Sequence, residues 1–505
     1  MLKERASGVL MHISSLPSAY GIGVFNKECM SFSDKLAQMK FGYWQVLPFN
    51  PVDGSNSPYC SSSAFAGNFM FIDPEQLYND GLCSREDFED NIYHGSPYTA
   101  DYEFAGKKRM KLLKNAFLRI TPEIAQKVKE FEKENDWLTD FSLYMSLKEA
   151  NDMKPWWEWT SEQARYEIFI EKHRYDFEER SAFWKFVQYI FYSQWRKVKS
   201  YINSKGIAII GDMPIYVSLD SADVWANRKM FLVDDKTLKP QKIAGVPPDY
   251  FSKDGQLWGN PLYNWDIMKK DNYSWWLKRI GAAIDTYDVV RIDHFRAFAS
   301  FWQIPAESKT ARVGEWAEGP GMKLFEKVFE QYPNTPIIAE DLGVFGNDVV
   351  ELLKSTGFPG MKVIQFGFDA DGDSSHLPHN ADKNTVNYVG THDNNTLLGW
   401  LWEADEISRR FALDYCGFKG ENWGEGGYKS ASCRSIIEAV WRSSSNTAII
   451  SFQDLCGFGS DARMNIPGVA DKNWRFRTTD ETIDGIDFEY YKKINRLFKR
   501  EYKVI

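Results

Sequence analysis

Arg291 and Asp293 stand one residue apart in the run Val289-Val-Arg-Ile-Asp293. In an extended strand alternate side chains share a face, so the guanidinium and the carboxylate should lie side by side. A neighbouring cation depresses a carboxylate pKa. That predicts an Asp293 held ionised, usable as a nucleophile or an electrostatic stabiliser. Taken alone, the pair reads better as a structural salt bridge at a strand end. Three other apolar runs also close on carboxylates: Ile207-Ala-Ile-Ile-Gly-Asp212, Pro336-Ile-Ile-Ala-Glu340 and Asn387-Tyr-Val-Gly-Thr-His-Asp393. Gathering four such groups is costly unless a reaction needs them. Paired carboxylates are how glycosidic bonds are broken: one protonates the leaving oxygen while another attacks the anomeric carbon.

The elements that must position these groups are eight short apolar runs beginning near residues 8, 43, 207, 289, 336, 361, 386 and 447. Continuous apolar runs suit strands buried on both faces, as in a parallel sheet. Helical periodicity separates most of them, over 30–40, 275–286, 349–355, 406–414, 432–442 and 490–502. Eight such units predict an α/β fold, a (β/α)8 TIM barrel, with its carboxylates at the strand C-terminal face.

Residues 1–70 supply the first barrel strands and 205–213 another. Residues 269–505 supply the remainder, all in a single catalytic domain. Residues 71–204 read as a mainly helical insertion, with helices over 107–118, 124–131, 141–150 and 181–204; its Trp156-Trp-Glu-Trp159 cluster suits packing. Residues 214–268 read as a loop-rich lid insertion, because Trp258 and its neighbours sit amid Gly and Pro. The loop 50–68 is dense in Ser, Pro, Gly and Asn, and it displays Tyr59 either as a ligand platform or as a loop anchor.

A net charge of −9 argues against nucleic acid or an anionic membrane as the main partner. No run approaches the roughly 20 apolar residues that span a bilayer. The six cysteines are scattered without a C-x-x-C pair, and no apolar signal segment opens the chain, so a soluble cytoplasmic protein with free thiols is expected. Aromatic residues make up 16%, which suits both a large core and the stacking of sugar C–H faces. Asp369-Ala-Asp-Gly-Asp373 has its Gly two places too early for a calcium loop, and position twelve is Asn380. His376 and His379 lack helical spacing and an adjoining third ligand. No metal and no cofactor is implied.

Ten motifs together carry a resemblance that spans almost the whole chain. They are Leu47-Pro48 with Ser57-Pro-Tyr59, Ser63-Ala-Phe-Ala-Gly-Asn68, Gly211-Asp-Met-Pro-Ile-Tyr-Val217, Gly245-Val-Pro-Pro-Asp-Tyr-Phe251, Gly259-Asn-Pro261, Val290-Arg-Ile-Asp-His-Phe295, Ala339-Glu-Asp-Leu-Gly343, His376-Leu-Pro-His379, Gly390-Thr-His-Asp-Asn394 and Arg463-Met-Asn465. With these the sequence resembles the amylomaltases, the 4-α-glucanotransferase (disproportionating enzyme) relatives of the α-amylases. Asn50 stands where that family usually has Gly, and Cys60 where Gln commonly follows the Tyr.

The resemblance implies transfer of α-1,4-glucan segments by a retaining double displacement. Asp293 would be the nucleophile, Glu340 the general acid/base, and Asp393 the group that grips donor hydroxyls and stabilises the transition state. Arg291 would orient Asp293. Asp212, His392 and His294 would surround the reacting sugar, Tyr59 and Trp258 would stack glucan, and Asp249, Gln256 and Asn465 would supply loop contacts. The implied partners are α-1,4-glucans and malto-oligosaccharides, met by a monomer or weak oligomer. An α-glucan hydrolase would share the same carboxylates, whereas a non-catalytic glucan-binding protein would have no use for them.

Overall fold

The computed structural model describes residues 2–248, 253–343, 346–369, 373–469 and 471–501. Eight parallel strands form one sheet: β1 (Ala6–Leu10), β2 (Tyr43–Gln45), β3 (Ala208–Met213), β6 (Val289–Ile292), β9 (Ile337–Ala339), β10 (Gly360–Val363), β11 (Thr385–Tyr388) and β12 (Thr447–Ser451). Their order is β10-β11-β12-β1-β2-β3-β6-β9. The Ala339 N–H donates to the Pro359 carbonyl at 3.0 Å, which closes β9 onto the start of β10 and completes the barrel. Each of the eight expected runs is one of these strands.

Alternation sorts the strand side chains. Ala208, Ile210, Val289, Ile338, Met361, Val386, Tyr388 and Ile449 fill the barrel interior. Ile209, Val290, Ile292, Ile337 and Ile450 face the surrounding helices. Most strands are apolar on both faces, Lys362 on β10 and Asn387 on β11 being exceptions, and each buried Val or Ile contributes roughly 1.5–3 kcal/mol. Gly8 is required by close approach, since a Cβ there would lie 2.6 Å from the Tyr43 Cβ on β2.

The segment between β2 and β3 is helical, with its long helices at Tyr102–Phe117, Pro122–Glu134, Trp137–Ala150 and Glu178–Ser204. Asp101 and Thr121 cap the first two by accepting N–H groups of their opening turns. The helix Trp137–Ala150 is buried on nearly every side, which blurs its 3.6 period and hides its first turn from a sequence reading. Gln188 on the long helix bonds both the N–H and the C=O of Gly67, at 2.7 and 2.9 Å. Ala64 N–H donates to Asp223 at 2.7 Å. The Ser63–Asn68 motif is thus a clamp that seats the loop after β2 on the helical segment at Gln188 and on the chain beyond β3 at Asp223.

The stretch read as a loop-rich lid differs from expectation. It contains β4 (Lys242–Val246) and β5 (Gln256–Pro261), which join β7 (Ser300–Pro305) and β8 (Glu315–Glu318) in an antiparallel sheet ordered β5-β4-β7-β8. This sheet therefore straddles the expected boundary at 268. Among the described residues its own core is Ile243, Ile304 and Ala311, and β8 is almost wholly exposed. Strands that bury so little carry no clear period-2 pattern in the sequence. Trp156 and Trp159 are buried in the core, and all six cysteines are free thiols. Among the described residues no helix is long and apolar enough to cross a membrane.

Candidate active site

Strand register assembles the site. Asp212 on β3 pairs directly with Arg291 on β6, and Arg291 is followed one strand over by Ile338 on β9, two residues before Glu340. Residues 289 and 291 share the interior face, so Arg291 projects into the mouth of the barrel, 4% exposed. Its Nη1 donates to both Asp212 oxygens, at 2.7 and 2.6 Å, and lies 3.0 Å from Asp293 Oδ1. Its Nε reaches the Met361 sulfur at 3.3 Å. One cation therefore serves two carboxylates, and the buried Asp212 takes the larger share.

Glu340 follows β9. Its Oε2 accepts the His294 N–H and its Oε1 the Leu342 N–H, both at 2.7 Å. His294 has φ 51°, a left-handed conformation uncommon away from Gly and Asn. That turn sets its N–H against Glu340 immediately after Asp293, tying the ends of β6 and β9 together. Asp393, in the loop after β11, accepts from Asn465 Nδ2 at 2.6 Å, and its backbone carbonyl accepts from Arg463 at 2.6 Å. Its side chain is 47% exposed and faces a cleft of about 1000 Å³ that also holds Asp293, Glu340, Trp258 and Gln256.

Tyr59 is not displayed as a free platform. Its hydroxyl donates to Asp212 Oδ2 at 2.6 Å and contacts His392 Nε2 at 2.9 Å. With its one proton given to Asp212, the hydroxyl accepts from His392, which fixes the Nε2–H tautomer. The two rings stack at 5.2 Å with 15° between planes, and Trp474 leans on both. The loop around Tyr59 is anchored to the carboxylate that holds Arg291, and this is why the ring is half-buried.

Trp258 lies on β5 rather than on a free loop. It meets His294 edge-on at 4.8 Å, and its indole N–H donates to Gln256 at 3.2 Å. Asp249 falls outside the described residues. His376 accepts the Val363 N–H at 3.2 Å and His379 contacts the Tyr415 hydroxyl at 2.8 Å, so both serve as local braces.

The expectation of a depressed Asp293 pKa is overturned. Burial pushes it well above the ordinary carboxylate range; Arg291 only partly offsets this, while Asp212, Glu340 and Asp393 add to the rise. Glu340 is raised too, chiefly by burial, against the pull of Arg291 and its two backbone donors. Water moderates the two unequally, since the Asp293 side chain is 28% exposed and Glu340 only 8%. Interacting carboxylates titrate as a unit, and this pair keeps a shared proton to higher pH than isolated ones would. Burial holds His294 neutral, its pKa lowered to about 3, and lowers that of His392 as well.

Several residues in or around the cleft escaped sequence reasoning: Arg463, Trp474, Arg296 and Trp316. Arg463 lies inside the Arg463-Met-Asn465 motif, where the resemblance gives a loop contact to Asn465 alone. Trp474 sits in an irregular loop at φ 67°, where no periodic signal exists.

Residues 11–482 match the model of the family described as 4-alpha-glucanotransferase. The 4-alpha-glucanotransferase of Clostridium butyricum is 41% identical over 493 residues, covering 96% of this chain and 98% of that protein. The Thermus thermophilus protein of the same description is 40% identical over 489 residues, 94% of each. Among solved structures, the amylomaltase of Streptococcus agalactiae in complex with acarbose is similar at a TM-score of 0.93 and 38% identity, covering 98% of this chain and 100% of that one. Strand-end carboxylates, the barrel that gathers them and a family match over most of the length converge on one assignment: this chain belongs to the 4-alpha-glucanotransferase family.

Proposed function

We propose that this protein transfers a segment of α-1,4-glucan from a donor to the 4-hydroxyl of glucose or a malto-oligosaccharide. The observation that carries this reading is the gathering of Asp293, Glu340 and Asp393 in one cleft around a single buried guanidinium. Asp293, the solvent-reachable partner of Arg291, attacks the anomeric carbon and forms a covalent glucosyl ester. Glu340 gives the shared proton to the departing glycosidic oxygen, then takes one from the incoming 4-hydroxyl, so configuration is retained. Asp393, held by Asn465, presents its exposed carboxylate to donor hydroxyls, a contact that strengthens as the ring flattens in the transition state.

Asp212 spends its charge on Arg291, so it orients the guanidinium and does not react. Tyr59, His392 and Trp474 buttress that pair and wall the donor sugar. Trp258 and Gln256 contact the glucan from β5, with Asp249 as a further contact. His294, neutral, offers an uncharged edge to the sugar and its backbone N–H to Glu340.

Transfer prevails over hydrolysis when an acceptor is held in attack geometry, because effective molarities of ~10⁵ M exceed that of water. The chain acts as one catalytic domain, with 71–204 as one insertion and 214–268, whose strands pair with β7 and β8, as the other. It works in the cytoplasm as a monomer or weak oligomer on glucans, without nucleic-acid or membrane partners. The acidic total and the six free thiols support this setting.

Incubation with maltotriose tests the reading. Glucose plus a ladder of longer oligomers should form while total reducing ends stay nearly constant. Steadily climbing reducing ends, with no product longer than the substrate, would establish an α-glucan hydrolase instead.

A further inference from the structure

Trp316 is an aromatic side chain that the core does not use. It lies on β8 and is 46% exposed, yet it lines the same cleft as Asp293 and Glu340. Its ring is held on two sides. The Arg296 guanidinium carbon stands 4.0 Å from the ring centroid, a stacking distance for a cation on a π face. Trp302, its cross-strand partner, packs edge-on at 5.2 Å and is itself fixed by donating its indole N–H to the Ala311 carbonyl at 3.0 Å. Arg296 is only three residues beyond Asp293, in the 3-10 turn Phe295–Phe298, so the ring is tied to the catalytic strand end. A large indole fixed by two neighbours and almost half exposed at the cleft is a platform.

Position around the barrel says what lies on it. Tyr59, His392 and Asp393 follow β2 and β11 and bound the donor sugar from that side of Asp293. Trp316 and Arg296 stand on the β6–β9 side, with the residues that follow Glu340. Ser300, at the start of β7, anchors there by donating to Asp348 at 2.6 Å. The proton from Glu340 goes to the oxygen between the donor sugar and the leaving chain, so the chain on this side is the leaving glucan and, in the second half-reaction, the acceptor. Sugar C–H faces pack on aromatic rings.

We propose that Trp316, backed by Arg296, is the stacking platform of an acceptor subsite for a glucose unit, an inference that rests on the glucanotransferase reading above.

Wild-type and Trp316→Ala enzymes are compared with α-maltotriosyl fluoride as donor and maltose as acceptor. Fluoride needs no sugar beyond the reacting bond, so the rate of its single-turnover burst, one fluoride per ester formed, should stay within about twofold, which also shows that the variant is folded. The KM for maltose should rise about fivefold or more, the equivalent of one lost aromatic contact, with kcat at saturating maltose little changed. Trp316→Phe should restore most of the affinity. An unchanged KM for maltose, or fluoride release that falls in step with transfer, would overturn the platform. A wild-type enzyme that releases fluoride but extends no acceptor would overturn the glucanotransferase reading itself.

Discussion

Replacing Arg291 with Met removes the one cation that Asp212 and Asp293 share, and the two carboxylates should report the loss differently. At 3.0 Å and an effective dielectric constant near 20, the Arg291–Asp293 attraction is at most about 5.5 kcal/mol. Solvent reaches 28% of the Asp293 side chain and Asp212 takes most of the cation, so about 2 kcal/mol is the part felt by the nucleophile. That corresponds to roughly a 30-fold slower formation of the covalent ester. Asp212 has no exposed side-chain surface, and its stranded charge should lower unfolding stability by roughly 3–5 kcal/mol. The two effects separate in the double variant Asp212→Asn/Arg291→Met. Removing the stranded charge should return most of the stability but none of the rate.

The pre-steady-state burst of fluoride from α-maltotriosyl fluoride gives the rate of the first step, and urea midpoints with their slopes give the stability. A single Arg291→Met enzyme that keeps its rate within about threefold would refute the electrostatic reasoning. So would a double variant no more stable than the single one.

Glu340→Gln should abolish the alkaline limb of the pH–rate profile along with most activity. The raised pKa of the Glu340–Asp293 pair means that this limb reports loss of their shared proton as pH rises, and its persistence would assign the acid elsewhere. Trp258→Ala should cut transfer more than hydrolysis, by about 3–10-fold in the ratio measured on maltotriose, because water does not need the ring. His12 is buried and His294 half-buried, both neutral with pKa values lowered to about 3 by desolvation, and His376 to about 4, against about 6.5 in the unfolded chain. Their contribution is therefore full above pH 6.5 and lost as pH falls toward 3, and His12→Gln should flatten that slope by on the order of 1–2 kcal/mol at pH 5 in urea titrations. Gly8→Ala should destabilise by roughly 1–3 kcal/mol, because the new Cβ meets the Tyr43 Cβ at 2.6 Å in a barrel with no slack; an unchanged urea midpoint would contradict that packing.

The barrel was legible in the chain because strands buried on both faces must be apolar throughout, and runs such as Ile207–Ile210 or Val289–Ile292 admit few other readings. The candidate carboxylates were legible for a related reason: an Asp or Glu that ends such a run lies at the strand's C-terminal mouth wherever the strand itself goes. Local spacing also put Arg291 and Asp293 on one face. Their electrostatics were decided elsewhere. Asp212 stands 79 positions before Arg291 and reaches it only through the β3–β6 register, and that partner takes the charge expected to depress the Asp293 pKa. Burial is likewise a property of the whole fold, and it outweighs the neighbour that sequence makes visible. Tyr59 looked displayed because its own loop is small and polar, yet rings from residues 392 and 474 enclose it. The sheet of β4, β5, β7 and β8 left no pattern because it buries little. Trp316 on that sheet became meaningful only when folding set it across the cleft from Asp393, against an arginine 20 residues away in the chain.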